Sequence, residues 1–201
     1  MSRTLGILVS GRGSNLRAIL NSVKKRYIKD AKVGVVVSNR DGVPALSIAD
    51  EFKVKRVVIP SSGFAGDRWA YDRLLIDSLE RNGVTREGGL VILAGFDRIL
   101  SEEFVKHYAN NLINIHPSLL PSFPGLHAQR QALEHGIKLS GCTVHFVVPE
   151  VDAGPIILQK AVEVKDDDTE ESLSDRILKE EHRLYSKAIK LIVEGKVSIS
   201  G

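Results

Sequence analysis

The sequence predicts an α/β fold built on a mostly parallel central sheet flanked by helices on both faces. Three observations lead there. Short apolar runs alternate with segments of helical periodicity from the N-terminus to Ala94, the pattern of successive β–α–β units. The runs are near-continuously apolar, as in strands buried on both faces. A glycine-rich turn, Gly11-Arg12-Gly13-Ser14-Asn15, joins the first run to the first helical segment.

Taken in order, residues 4–10 (Thr-Leu-Gly-Ile-Leu-Val-Ser) read as the first strand, and Leu16, Ile19, Leu20 and Val23 set a helix to about Tyr27. Residues 32–38 read as a second strand. Asn39-Arg40-Asp41-Gly42 turns the chain, and Pro44 suits the first turn of a helix that runs to Phe52. A strand over 54–59, a loop with Pro60, Gly63 and Gly66, and a helix over 68–81 follow. Gly88-Gly89 opens the strand Leu90 to Ala94. Further strands are expected at 112–116, from about Gly141 to Asp152, and at 156–164. The acidic turn 165–168 leads to a long helix from Thr169 that stops at Gly195, with a short tail to Gly201.

Composition narrows the function classes. The 201 residues are 43% hydrophobic and 26% charged, ordinary for a globular protein and consistent with a single domain over 1–201. No apolar run reaches the roughly 20 residues a membrane helix needs, and the N-terminus lacks the form of a signal peptide. One cysteine, Cys142, excludes a disulfide framework and reads as a buried structural thiol. A cytoplasmic protein with no membrane partner is expected. The net charge of +3 is spread out, and Lys24-Lys25-Arg26 falls at a helix end where cations complement the dipole, so no nucleic-acid partner is expected. The histidines show no metal-ligand spacing, and no metal is expected.

The chemistry concentrates in Leu112 to Pro155. Asn114 and His116 end one strand, a loop stiffened by Pro117, Pro121 and Pro124 follows, and after a short helix a second strand ends in Asp152, within Asp-Ala-Gly-Pro. Two adjacent strands ending on the same side would bring the three together. An amide can hold a developing oxyanion, an imidazole can relay a proton near neutral pH, and a carboxylate can orient the imidazole and favour its charged form. His145 reads as a core histidine or one that supports the trio. The Gly13-Ser14-Asn15 turn at a helix N-terminus suits a phosphate. Leu16 in place of the third glycine, and Ser38-Asn39 at the ribose position, favour a phosphate monoester over a dinucleotide. Phe96, Ile99 and Leu100, beyond the strand 90–94, offer an apolar slot for a flat ring.

Ser10-Gly11-Arg12-Gly13-Ser14-Asn15, Asn114-Ile115-His116-Pro117-Ser118-Leu119-Leu120-Pro121, Asp-x-Gly-Pro and Glu181-His182 together resemble the glycinamide ribonucleotide formyltransferase family of purine biosynthesis. The resemblance spans nearly the whole chain and implies a Rossmann-like formyltransferase fold. Its N-terminal half would bind the nucleotide and its C-terminal half would bind folate and carry catalysis. It implies transfer of the formyl group of 10-formyltetrahydrofolate to the amine of glycinamide ribonucleotide by direct attack, with Asn114, His116 and Asp152 catalytic. Gly13, Ser14, Asn15, Pro117 and Glu181 would bind the ribonucleotide. Arg68, Asp97, Arg98, Ile99, Leu100, Asn114, Val148, Pro149, Glu150, Val151 and Asp152 would line the folate pocket.

Asp97 departs from the apolar residue usual in relatives and is expected to face solvent or pair with a cation. Pro149 departs from a commonly polar position. The rival readings are formyltetrahydrofolate hydrolase, a methionyl-tRNA formyltransferase-like enzyme, and a non-catalytic phosphate-ligand or folate-binding module. A monomer or a homodimer is compatible with the sequence.

Overall fold

The computed structural model describes residues 2–64 and 66–199; the end of the expected tail, Ser200 and Gly201, lies outside them. One seven-stranded sheet organises the chain in the order β3-β2-β1-β4-β5-β6-β7. The strands are β1 (Arg3–Val9), β2 (Ala31–Ser38), β3 (Arg56–Val58), β4 (Gly89–Leu93), β5 (Leu112–His116), β6 (Leu139–Phe146) and β7 (Ile156–Glu163). The pairings from β3 through β5 are parallel, and β6 runs antiparallel to both β5 and β7. The chain winds outward in opposite directions from β1 and β4, which leaves a crevice at the carboxyl ends of these strands. Open α/β sheets bind ligands at such a switch point.

Helices α1 (Ser14–Lys24), α2 (Pro44–Glu51), α5 (Ala128–Glu134) and α6 (Glu170–Val193) join one apolar cluster with Leu5, Ile7 and Ile113. Helices α3 (Arg68–Arg81) and α4 (Glu102–His107) cover the other face through Tyr71, Leu75 and Phe104. The two-sided burial explains the continuous apolar runs. β1 is buried at every position but its first.

α6 is fixed at its start by Thr169, whose hydroxyl accepts from the Ser172 N–H at 3.2 Å while the Ser172 hydroxyl accepts from the Thr169 N–H at 3.0 Å. Its fully buried Tyr185 points its hydroxyl between the carbonyls of Leu93 (2.9 Å) and Ile113 (3.2 Å). The helix thereby touches the strands that carry the crevice.

Four elements differ from the sequence reading, among them β6, which ends at Phe146 and does not run on to Asp152. α1 begins earlier and ends earlier than 16–27, because Gly13 already turns the chain into the helix. β3 is shorter than 54–59, being an edge strand paired only to β2. α4 had no counterpart in the reading, although Ser101 caps it and Glu102, Glu103, Lys106 and His107 are placed as its dipole favours. Six residues show too little periodicity to announce a helix.

Candidate functional site

The turn between β1 and α1 is held rigidly. Gly13 has φ 76°, in the left-handed region that glycine adopts at no steric cost. A side-chain carbon there would lie 2.8 Å from the Cα of Ala45, and the Gly11 carbonyl accepts from the Ala45 N–H at 3.1 Å. The turn is thus pressed onto α2. Gly13→Ala is expected to cost about 1–3 kcal/mol of stability from the backbone alone, before the clash is relieved. Urea unfolding measures that loss, and an unchanged midpoint would mean that the turn can move.

No side chain caps the α1 N-terminus, so its first N–H groups face a cavity of about 630 Å³. Ser14 and Asn15 line it, and so does Glu181 from α6. The Asn15 Nδ2 donates to Glu181 Oε2 at 2.8 Å, while its buried Oδ1 has no partner in the protein. Burial raises the Glu181 pKa above the ordinary carboxylate value, against the opposing pull of Asn15 and Arg12. Four of the five residues expected to bind the ribonucleotide therefore share one cavity. Pro117 is outside its lining.

On β5, Asn114 and His116 share the sheet face of Leu112, which packs with α3 and α4. Antiparallel pairing puts His145 opposite Asn114 and Thr143 opposite His116, so all four side chains share one face. This corrects the expectation of two strands ending on the same side. β6 ends at Phe146, opposite Ile113, and Asp152 comes from the turn beyond it, which folds back over this face. Gly154 permits that fold, since a side-chain carbon there would meet the Phe146 carbonyl at 1.8 Å.

The trio still converges. Asp152 Oδ2 lies 3.3 Å from His116 Nδ1, and Oδ1 lies 3.6 Å from His145 Nε2. Asp152 Oδ2 also accepts from the Gly125 N–H at 2.8 Å. Burial disfavours its charge, but His145, the Gly125 N–H and His116 outweigh burial and hold its pKa below the ordinary value. His116 Nε2 lies 2.8 Å from the Phe123 carbonyl, so the imidazole meets an acceptor at each nitrogen. Asn114 is half-buried and pairs in register with Leu93, next to Ala94 and Gly95 of the cavity wall. The face that carries Asn114 and His116 and the turn before α1 are therefore neighbours across β4.

The residues expected to contact folate lie on four segments, one of them the β5 position of Asn114. Arg68 is the first residue of α3 and is exposed. Asp97 pairs with Arg40 and accepts from Asn39 Nδ2 at 2.9 Å, which meets the expectation that it finds a cation. Arg98 lays its guanidinium 4.4 Å from the Tyr71 ring centre, Ile99 is exposed, and Leu100 is buried in the α3–α4 cluster. Val148, Pro149, Glu150 and Val151 occupy the β6–β7 turn ahead of Asp152, with all but Val148 exposed. Exposed Ile99 and Val151 offer apolar surface of the kind a flat ring system would cover.

Sequence reasoning missed the Phe123 carbonyl and the Gly125 N–H, because backbone groups leave no signature in the sequence. Gln129, also in the cavity wall, was missed as well. His145 is placed in its supporting role. Among the described residues, no group of three or more His, Cys, Asp or Glu side chains is arranged to hold a metal, and no helix is long and apolar enough to cross a membrane.

Residues 4–189 match the Formyl transferase family. The chain is 42% identical over 193 residues to phosphoribosylglycinamide formyltransferase of Escherichia coli, covering 96% of this chain and 88% of that one. It is 45% identical over 195 residues to the trifunctional purine biosynthetic protein adenosine-3 of Gallus gallus, of which it spans 19% of the length. Glycinamide ribonucleotide transformylase 1 from Symbiobacterium toebii superposes with a TM-score of 0.94 at 46% identity, covering 100% of this chain and 92% of that one.

Proposed function

The chain belongs to the phosphoribosylglycinamide formyltransferases of the formyl transferase family, and from that premise we propose that it moves the formyl group of 10-formyltetrahydrofolate onto the amine of glycinamide ribonucleotide. The observation that carries this reading is the His116–Asp152 pair on the face it shares with Asn114, one strand from the phosphate-type cavity. In this reading residues 1–201 act as one formyltransferase domain in the cytoplasm, with small-molecule substrates and no metal.

The Gly13–Asn15 turn holds the phosphate on the free N–H groups of α1. Glu181 accepts from hydroxyls of the sugar, and Pro117 borders the reacting end. Ile99 and Val151 cover the folate ring over the buried Leu100, while Arg68 and Arg98 face its acidic end. Asn114 donates toward the formyl oxygen as it takes up negative charge, and His116 joins it by turning its Nε2–H from the Phe123 carbonyl to the same oxygen. Asp152 keeps the imidazole oriented through Nδ1. Holding both substrates in line supplies much of the rate, and no covalent enzyme intermediate is required.

Asn114→Ala removes one donor and is expected to lower kcat about 10²–10³-fold with little change in KM. Steady-state kinetics on both substrates decides this, and an unchanged kcat would exclude Asn114 from the reacting centre.

The defining test mixes the protein with 10-formyltetrahydrofolate and adds glycinamide ribonucleotide last. Deformylation that starts only on that addition supports the reading. Deformylation without the nucleotide would replace it with a hydrolase, and folate binding without turnover would replace it with a binding module.

A further inference from the structure

The phosphate-type cavity is sorted by charge. Four carboxylates stand in its wall, Glu170, Glu171, Asp175 and Glu181, and Arg12 is the one cation among its lining residues. Glu170 is occupied by Arg130 at 3.1 Å, and Glu181 by Asn15. Glu171 and Asp175 remain to repel an incoming dianion. A helix N-terminus contributes only about half a positive charge, too little to offset that wall.

Arg12 is exposed and has no ion-pair partner among the described residues, whereas seven other arginines are paired. Its neighbour Arg17 is spent on Glu51 at 2.7 and 3.0 Å. Arg12 stands on the rigid turn between Gly11 and Gly13, beside the free N–H groups of α1. The buried Asn15, 8% exposed, leaves its Oδ1 without a partner in the same cavity. That is a second sign that a polar ligand belongs there.

We propose that Arg12 is the counter-charge of the substrate's phosphate and the residue that makes this site select phosphorylated over unphosphorylated substrate. The inference rests on the formyl-transfer reading for its substrate. The guanidinium supplies the planar, fork-shaped donor set that suits phosphate oxygens. The carboxylates across the cavity favour a ligand with a single anionic end, whose remainder offers hydroxyl donors.

The test compares wild type, R12Q and R12K with glycinamide ribonucleotide, with the unphosphorylated glycinamide riboside, and by calorimetric binding of ribose 5-phosphate. A charge-assisted hydrogen bond contributes about 10- to 100-fold to binding. R12Q is therefore expected to raise KM for the ribonucleotide by about that factor, with kcat within about 3-fold of wild type. R12K should fall between, since an ammonium keeps the charge and loses the fork. The riboside should be used equally well by all three proteins. A KM change in R12Q below about 3-fold, or an equal loss with the riboside, would overturn the proposal. If wild type binds ribose 5-phosphate in an Arg12-dependent way but transfers no formyl group, the functional reading fails and the role of Arg12 stands.

Discussion

His116→Ala is expected to lower kcat about 10²–10⁴-fold, the range for loss of a positioned proton donor, while KM for glycinamide ribonucleotide changes little. The split follows from the geometry. His116 lies on the β5–β6 face with Asp152 at 3.3 Å, whereas the phosphate site proposed for the substrate is the turn before α1. The substitution also leaves the Phe123 carbonyl without its ring partner and takes one of two imidazoles from Asp152. A buried acceptor left unsatisfied costs about 1–3 kcal/mol, so unfolding should be followed in parallel with kinetics. A folded His116→Ala protein with near-normal kcat would remove His116 from the mechanism.

Asp152→Asn keeps the size of the side chain and removes its charge. A loss of kcat of about 10²–10⁴-fold is expected, because His116 then loses the carboxylate that fixes its orientation. The pH dependence has a definite sign. The folded pKa of Asp152 lies below the ordinary aspartate value of 3.8, because His145, the Gly125 N–H and His116 together overcome burial. Near and below 3.8 the unfolded chain binds the proton first, so stability rises with pH there.

The stabilising contribution of Asp152 is therefore complete above the unfolded value and is lost as pH falls through the lower folded one. The Asn variant should be less stable than wild type at pH 7, and the gap should close toward pH 2. Urea unfolding across this range measures it. A gap that persists undiminished in acid would mean that packing, not charge, explains the effect.

Much of the candidate site was legible because its chemistry resides in side chains. Asn114, His116 and Asp152 could be named as a unit, and the turn Gly11 to Asn15 announced a helix start. The manner of their convergence was not legible. A strand carries no local mark of its direction, so β6 could be placed next to β5 but not turned around. The consequence was a mistaken route for Asp152, which reaches His116 from a folded-back turn.

The Phe123 carbonyl and Gly125 N–H escaped for a related reason, since every residue offers the same backbone groups and only tertiary packing selects among them. Asp97 was easier. A charge between Phe96 and Ile99 was expected to face solvent or meet a cation, and Asp97 does both, exposed and paired with Arg40. Pairing explains how Asp97 is tolerated there.

Glu181 and Tyr185 are four residues apart on α6, and so stand on one side of the helix, one above the other. The first grips Asn15 of the phosphate turn, and the second bonds the carbonyls of Leu93 and Ile113, next to Asn114. A single turn of helix, about 6 Å along its axis, thus acts as the gauge between the two halves of the site. Inserting or deleting one residue between them would swing one grip about 100° away from the other. Surface loops can lengthen with little penalty, but this turn of α6 can change its side chains and not its length.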